Sequence, residues 1–210
     1  MEGAGWWWEP EVDCRDEDED PLCQTFMVDR NALPQKSASG YLTSMNLYFA
    51  TKDPTLGATV EIRAVESGTP KPDVLPFSRV ELKSSDVNLS TNGTAATTIN
   101  FKSPVVVTGG KEYAIVIKPE GNSPEYSVFT SKAGQNELAN SAKQVNQDWG
   151  KGTMFLSTND RTWTAYIDED MKFDMFCAVF KYTEAQVQLV NEDYEWLTAK
   201  NSLINGSFQE

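Results

Sequence analysis

Residues 59–66, TVEIRAVE, place apolar side chains at every second position, with Val60, Ile62 and Ala64 on one side and Thr59, Glu61 and Arg63 on the other. Such a rhythm belongs to a β-strand with one face in the core, because successive side chains of a strand point to opposite faces. Further strands are expected in QTFMV (24–28), in Tyr41–Phe49, in FSRVEL (77–82), in TAATTINFKSPVVV (94–107), in GTMFLST (152–158) and in TWTAY (162–166). In DMKFDMFCAVF the residues Met171, Phe173, Met175, Cys177 and Val179 share a face, so Cys177 reads as a core residue. Glu112–Lys118 and Tyr126–Thr130, separated by Pro119, Gly121, Asn122 and Pro124, read as a hairpin, and SGTPKPDVLP (67–76) reads as loop. Roughly eight to ten short strands, with a turn about every ten residues and almost no helical period, predict an all-β fold. The expected architecture is an antiparallel two-sheet sandwich of the jelly-roll kind.

The rhythm is confined to the middle of the chain. Residues 1–19 join three consecutive tryptophans to a dense run of carboxylates and have neither strand nor helix period. They are expected to form an extended, acidic arm, residues 20–182 the sandwich, and residues 183–210 a second arm or linker. An exposed indole cluster is costly in water, which marks Trp6, Trp7 and Trp8 as interface candidates, with Tyr194 and Trp196 in the C-terminal arm.

Composition removes whole classes of function. The 210 residues are 40% apolar, enough for a core, but carry 31 acidic against 18 basic side chains, a net charge of −13. That field repels phosphate backbones and anionic headgroups, so nucleic acid is not an expected partner. With no histidine, the commonest general base and a common transition-metal ligand are missing. Cys14, Cys23 and Cys177 are too few for a disulfide framework, and no stretch approaches 18 continuous apolar residues. The expectation is synthesis in a reducing compartment, no obligatory bridge between Cys14 and Cys23, and no membrane insertion.

The remaining constellations are weak. Counted from Asp16, the acidic run matches Asp-x-Asp-x-Asp, but Pro21 stands where a calcium loop needs glycine and Met27 where it needs glutamate. No metal or cofactor is therefore expected. Asp168, Glu169 and Asp170 precede the last strand and read as a solvated turn, although paired carboxylates can hydrolyse glycosides. VTGGKEY lacks the frame of a phosphate-binding loop and reads as a turn. Trp149, Trp163 and Tyr166, with Tyr126, lie near the expected loops, where they either pack at the rim or form a stacking platform for a sugar. No set of catalytic residues emerges, and the chain is not expected to be an enzyme.

Taken in order, DPLCQTFMVD, GYLTSMNLYFATKD, ATVEIRAVESGTPKPDVLPFSRVELKSSDVN, ATTINFKSPVVVTGGKEYAIVIKP and WTAYIDEDMKFDMFCAVF resemble a β-sandwich module of large virion structural proteins of T4-like tailed phages, cyanophages in particular. In that family the opening reads Asp-Pro-Leu-Ala-Gln-Thr-Phe, and Cys23 replaces the small residue. The resemblance spans about residues 20 to 182. It implies a structural part of the tail or baseplate, or a fibre-associated protein, made in the host cytoplasm and held in the virion by other structural proteins and copies of itself. The family carries no catalytic residues. The alternative it leaves is a carbohydrate-binding module for host-surface glycan, with Trp149, Trp163 and Tyr166 as contacts.

Overall fold

A computed structural model describes residues 20–137, 140–146 and 152–181. The chain divides into a unit of residues 1–179, which holds the described strands, and a second of residues 180–210. The arm of residues 1–19, with Cys14, Trp6, Trp7 and Trp8, lies outside the described residues, as do Trp149, Tyr194 and Trp196.

The strands are β1 (Leu22–Met27), β2 (Ser39–Leu47), β3 (Phe49–Thr51), β4 (Ala58–Glu66), β5 (Thr69–Val74), β6 (Val80–Leu82), β7 (Thr97–Thr108), β8 (Glu112–Pro119), β9 (Ser127–Val128), β10 (Thr130–Lys132), β11 (Asn136–Glu137), β12 (Asn140–Gln144), β13 (Met154–Ser157), β14 (Trp163–Tyr166), β15 (Glu169–Met171) and β16 (Phe173–Cys177). Among the described residues the only helical segments are three single 3₁₀ turns, and no helix is long and apolar enough to cross a membrane. The fold is the expected antiparallel sandwich. A large sheet runs β14-β13-β1-β8-β4-β5, with β6 also paired to β4, and a small sheet runs β16-β2-β7. The pairing of β1 with β8 encloses that of β2 with β7, the nested arrangement of a jelly roll.

Between the sheets the alternation does what it implies. Phe26, Val60, Ile62, Ile115 and Ile117 of the large sheet join Met45, Leu47, Ile99, Val105 and Val107 of the small one in one continuous core. Each such side chain contributes about 1.5–3 kcal/mol by leaving water. Phe173, Met175 and Cys177 pack half-buried against the same core from the small sheet's edge, whereas Val179 is exposed.

Three local expectations are corrected. Glu112–Lys118 and Tyr126–Thr130 are not a hairpin, because β8 pairs with β1 and β4 while β9 pairs with β3 and β10 with β15. A strand such as β8, buried over Tyr113–Ile117 on both faces, must be central, so its sequence neighbour cannot also lie beside it. The proline-rich loop contains β5, tolerated because it is an edge strand that pairs only with β4 around an irregularity between Arg63 and Val65. FSRVEL shortens to Val80–Leu82, since Phe77 takes φ 66° and breaks the strand.

Candidate functional site

The face of the large sheet that points away from the small one was expected to meet solvent, yet Glu61 and Arg63 on it are 1% and 2% exposed. With Cys23, Ala114, Val116 and Phe155 they line a second interior, against which Val65 and Trp163 pack. The turn between β13 and β14 closes it. Asp160, held there at φ 53°, receives Arg63 Nη1 and Nη2 on its two oxygens, each at 2.7 Å, and Lys118 Nζ at 3.1 Å. Arg63 Nε also donates to Glu61 Oε1 at 2.6 Å.

Burial alone would push the Asp160 carboxyl up, but hydrogen bonds from Arg63 and Lys118 outweigh it and hold the pKa below its ordinary value. For Arg63 burial likewise opposes charge, and Asp160 and Glu61 overcome it. Both carboxylates are thus committed to one guanidinium. Burial pushes the free thiol of Cys23 up, away from a reactive thiolate.

The other sequence candidates are similarly engaged. Lys132 Nζ lies 3.0 Å from Asp168 and 3.0 Å from Glu169, while Asp170 accepts Gln24 Nε2 at 3.0 Å. Gln24 Oε1 accepts Met171 N–H at 2.8 Å, so the end of the acidic turn is tied to β1 while Asp168 stays half-exposed. Among the described residues no group of three or more acidic or thiol side chains is arranged to hold a metal ion. Trp163 and Tyr166 sit three positions apart on one strand, and a period of two sends them to opposite faces. Trp163 is half-buried against the Cys23–Phe155 cluster and Tyr166 is exposed, so the two do not form a common stacking surface.

One open cleft is mainly apolar. A cleft of 220 Å³ is walled by Leu22, Phe49, Ile117, Tyr126, Val128 and Leu156, with Pro119 and Pro124 at its lip and Asp20, Asn122, Ser123 and Ser127 completing it. Its geometry is set by one carboxylate. Asp53 Oδ1 accepts the N–H groups of Thr55 and Leu56, both at 2.8 Å, and Oδ2 accepts Ser123 Oγ at 2.7 Å, binding the 53–57 turn to the loop after β8. The Ser84 hydroxyl donates to the Asp53 carbonyl. The Leu56 carbonyl then takes the Tyr126 hydroxyl at 2.6 Å, which fixes that ring edge-on to Phe49 with centroids 6.1 Å apart. These donors, the Leu56 N–H first, lower the Asp53 pKa from 3.8 to about 2.

The first described residue, Asp20, lies at this cleft. Asp20 N–H donates to Asn122 Oδ1 at 3.1 Å, and β1 then runs between β8 and β13. The sequence marks the seam at Asp20 and the Asp53-Pro54 turn but neither the cleft nor the hub. Asp-Pro-Thr is the available sign, since an aspartate opening a turn tends to bond the N–H two residues on. Comparison with family models, with curated proteins and with solved structures finds no match.

Proposed function

We propose that the chain is a structural, non-enzymatic component of a tailed-phage virion, a tail, baseplate or fibre-associated part whose sandwich is a rigid docking platform for neighbouring subunits. The observation that carries this reading is the division of surface chemistry. The Glu61, Arg63, Asp160 and Lys118 side chains are tied to one another, whereas a preformed apolar cleft stays open beside Asp20, next to a segment bearing three tryptophans. An apolar cleft on a pinned rim is suited to receiving an apolar side chain from a partner, because little freedom remains to be lost on binding. The motif series from DPLCQTFMVD to WTAYIDEDMKFDMFCAVF supports the assignment to a virion, and the strongly acidic chain suits a particle protein that must not adhere to nucleic acid.

The arms supply further contacts to other virion proteins. Replacing Trp6, Trp7 and Trp8 by alanine in the full chain is expected to leave the melting temperature unchanged and to weaken co-sedimentation with purified particles at least tenfold. A lowered melting temperature with normal co-sedimentation would instead assign the indoles to the chain's own core.

A further inference from the structure

Phe77 has the most conspicuous unexplained geometry in the sandwich. It occupies the third position of the turn Leu75–Pro76–Phe77–Ser78, closed by Ser78 N–H to Leu75 O at 3.2 Å, with proline at the second position. Its φ of 66° is one that such turns reserve for glycine, yet the residue is a phenylalanine that is 63% exposed. A backbone strain and an exposed aromatic ring thus coincide, and neither is offset by burial within the subunit.

The base of the turn is fixed. Ser78 is fully buried, its Oγ accepts Ile62 N–H at 3.1 Å, and it lies 2.8 Å and 3.0 Å from the Leu75 and Ile62 carbonyls. Leu75 N–H donates to Ile62 O at 2.8 Å, so both ends of the turn are bolted to β4. The ring is held out on a preorganised support, the arrangement that makes an aromatic side chain a binding anchor.

We infer that Phe77 of one copy inserts into the 220 Å³ cleft beside Asp20 of a second copy. This deepens the docking reading of that cleft and rests on it. An apolar cavity of about 150 Å³ is enough to take up benzene, so one phenyl ring fits the space bounded by Leu22, Phe49, Ile117 and Tyr126. Charge favours the same pairing. Arg79, two residues beyond the ring, is 59% exposed and only 3.9 Å from a Glu61 oxygen that has no hydrogen bond, while the cleft's rim carries the exposed Asp20. A basic group therefore flanks the knob and an acidic one the hole on a chain of net charge −13. Knob and hole are different patches of one surface, so the contact is head-to-tail and repeats from copy to copy as a ring or a filament.

The test uses the full chain in sedimentation velocity across a concentration series. Wild type is expected to grow beyond dimer with concentration. Phe77→Gly, which suits the positive φ, and Ser127→Trp, which fills the cleft from an exposed rim position, should each weaken association about tenfold or more while remaining folded. Mixed one to one, the two variants should form heterodimers and stop there, since one retains only the hole and the other only the knob. Alanine at Trp6, Trp7 and Trp8 should leave self-association intact. A monomeric wild type that still co-sediments with particles would overturn this partner while leaving the cleft's docking role standing. Unchanged association of Phe77→Gly, a mixture that stays monomeric, or loss of association only in the tryptophan variant would each overturn the inference.

Discussion

The two faces of the large sheet solve the same burial problem with different chemistry. Towards the small sheet, Phe26, Val60, Ile62, Ile115 and Ile117 interlock with apolar partners, and the driving force is area removed from water. On the other face Cys23, Val116 and Phe155 are closed over by a lid turn, and Glu61, Arg63, Asp160 and Lys118 form the seal. Dispersion and the hydrophobic effect tolerate small shifts, whereas a buried ion network holds only with all its members present. Alternation along β4 therefore reports which residues share a face and is silent on whether that face is wet.

The apolar face should show the largest single effect. Phe49, fully buried and in edge contact with Tyr126 in the cleft wall, is expected to lose about 3–5 kcal/mol of stability on replacement by alanine, read from urea melts. The ionic face comes next. Arg63→Met leaves Glu61 buried without this partner and removes both bonds to Asp160, and should cost about 3 kcal/mol. Combining it with Glu61→Leu should recover the part due to Glu61, with Asp160 keeping only Lys118. A double variant as unstable as the single one would show that the pair contributes more than mutual neutralisation.

Much of this organisation is legible in the sequence, and the failures have physical causes. Most strand positions and the inward set Val60 and Ile62 follow from side-chain period, whereas β5 and the break at Phe77 do not. The burial of Glu61 and Arg63 does not, because a charged residue on the polar phase of a strand is ordinarily solvated, and the group that covers them, Asp160, lies 97 residues away from Arg63. The expected β8–β9 hairpin fails for a related reason. Pro119, Gly121, Asn122 and Pro124 mark a turn correctly but do not say which strands meet after it. The Phe77 ring suits a strand, and only the positive φ reveals the turn.

The smallest expected effect is an acid response that separates the cleft from the apolar core. Asp53 titrates at about 2 in the folded chain against an ordinary 3.8, and Asp160 is lowered in the same direction. A depressed carboxyl stabilises the fold above its ordinary pKa and loses that contribution as pH falls through the folded value. Stability should therefore decline from pH 3.8 to about 2, and the decline should be shallower in Asp53→Asn and in Asp160→Asn, measured by thermal melts against pH. An unchanged slope in both variants would remove these two carboxylates as the acid-sensitive ties.

Whether this sandwich works as a docked part or as a free binding head is decided by a density map of the assembled particle. Each copy is expected to meet its neighbours over at least about 1,000 Å² of total buried surface, with the cleft beside Asp20 filled by protein and the arm of residues 1–19 lying on an adjacent subunit. A sandwich projecting freely from the particle, its cleft open to solvent or occupied by glycan, would contradict the docked reading.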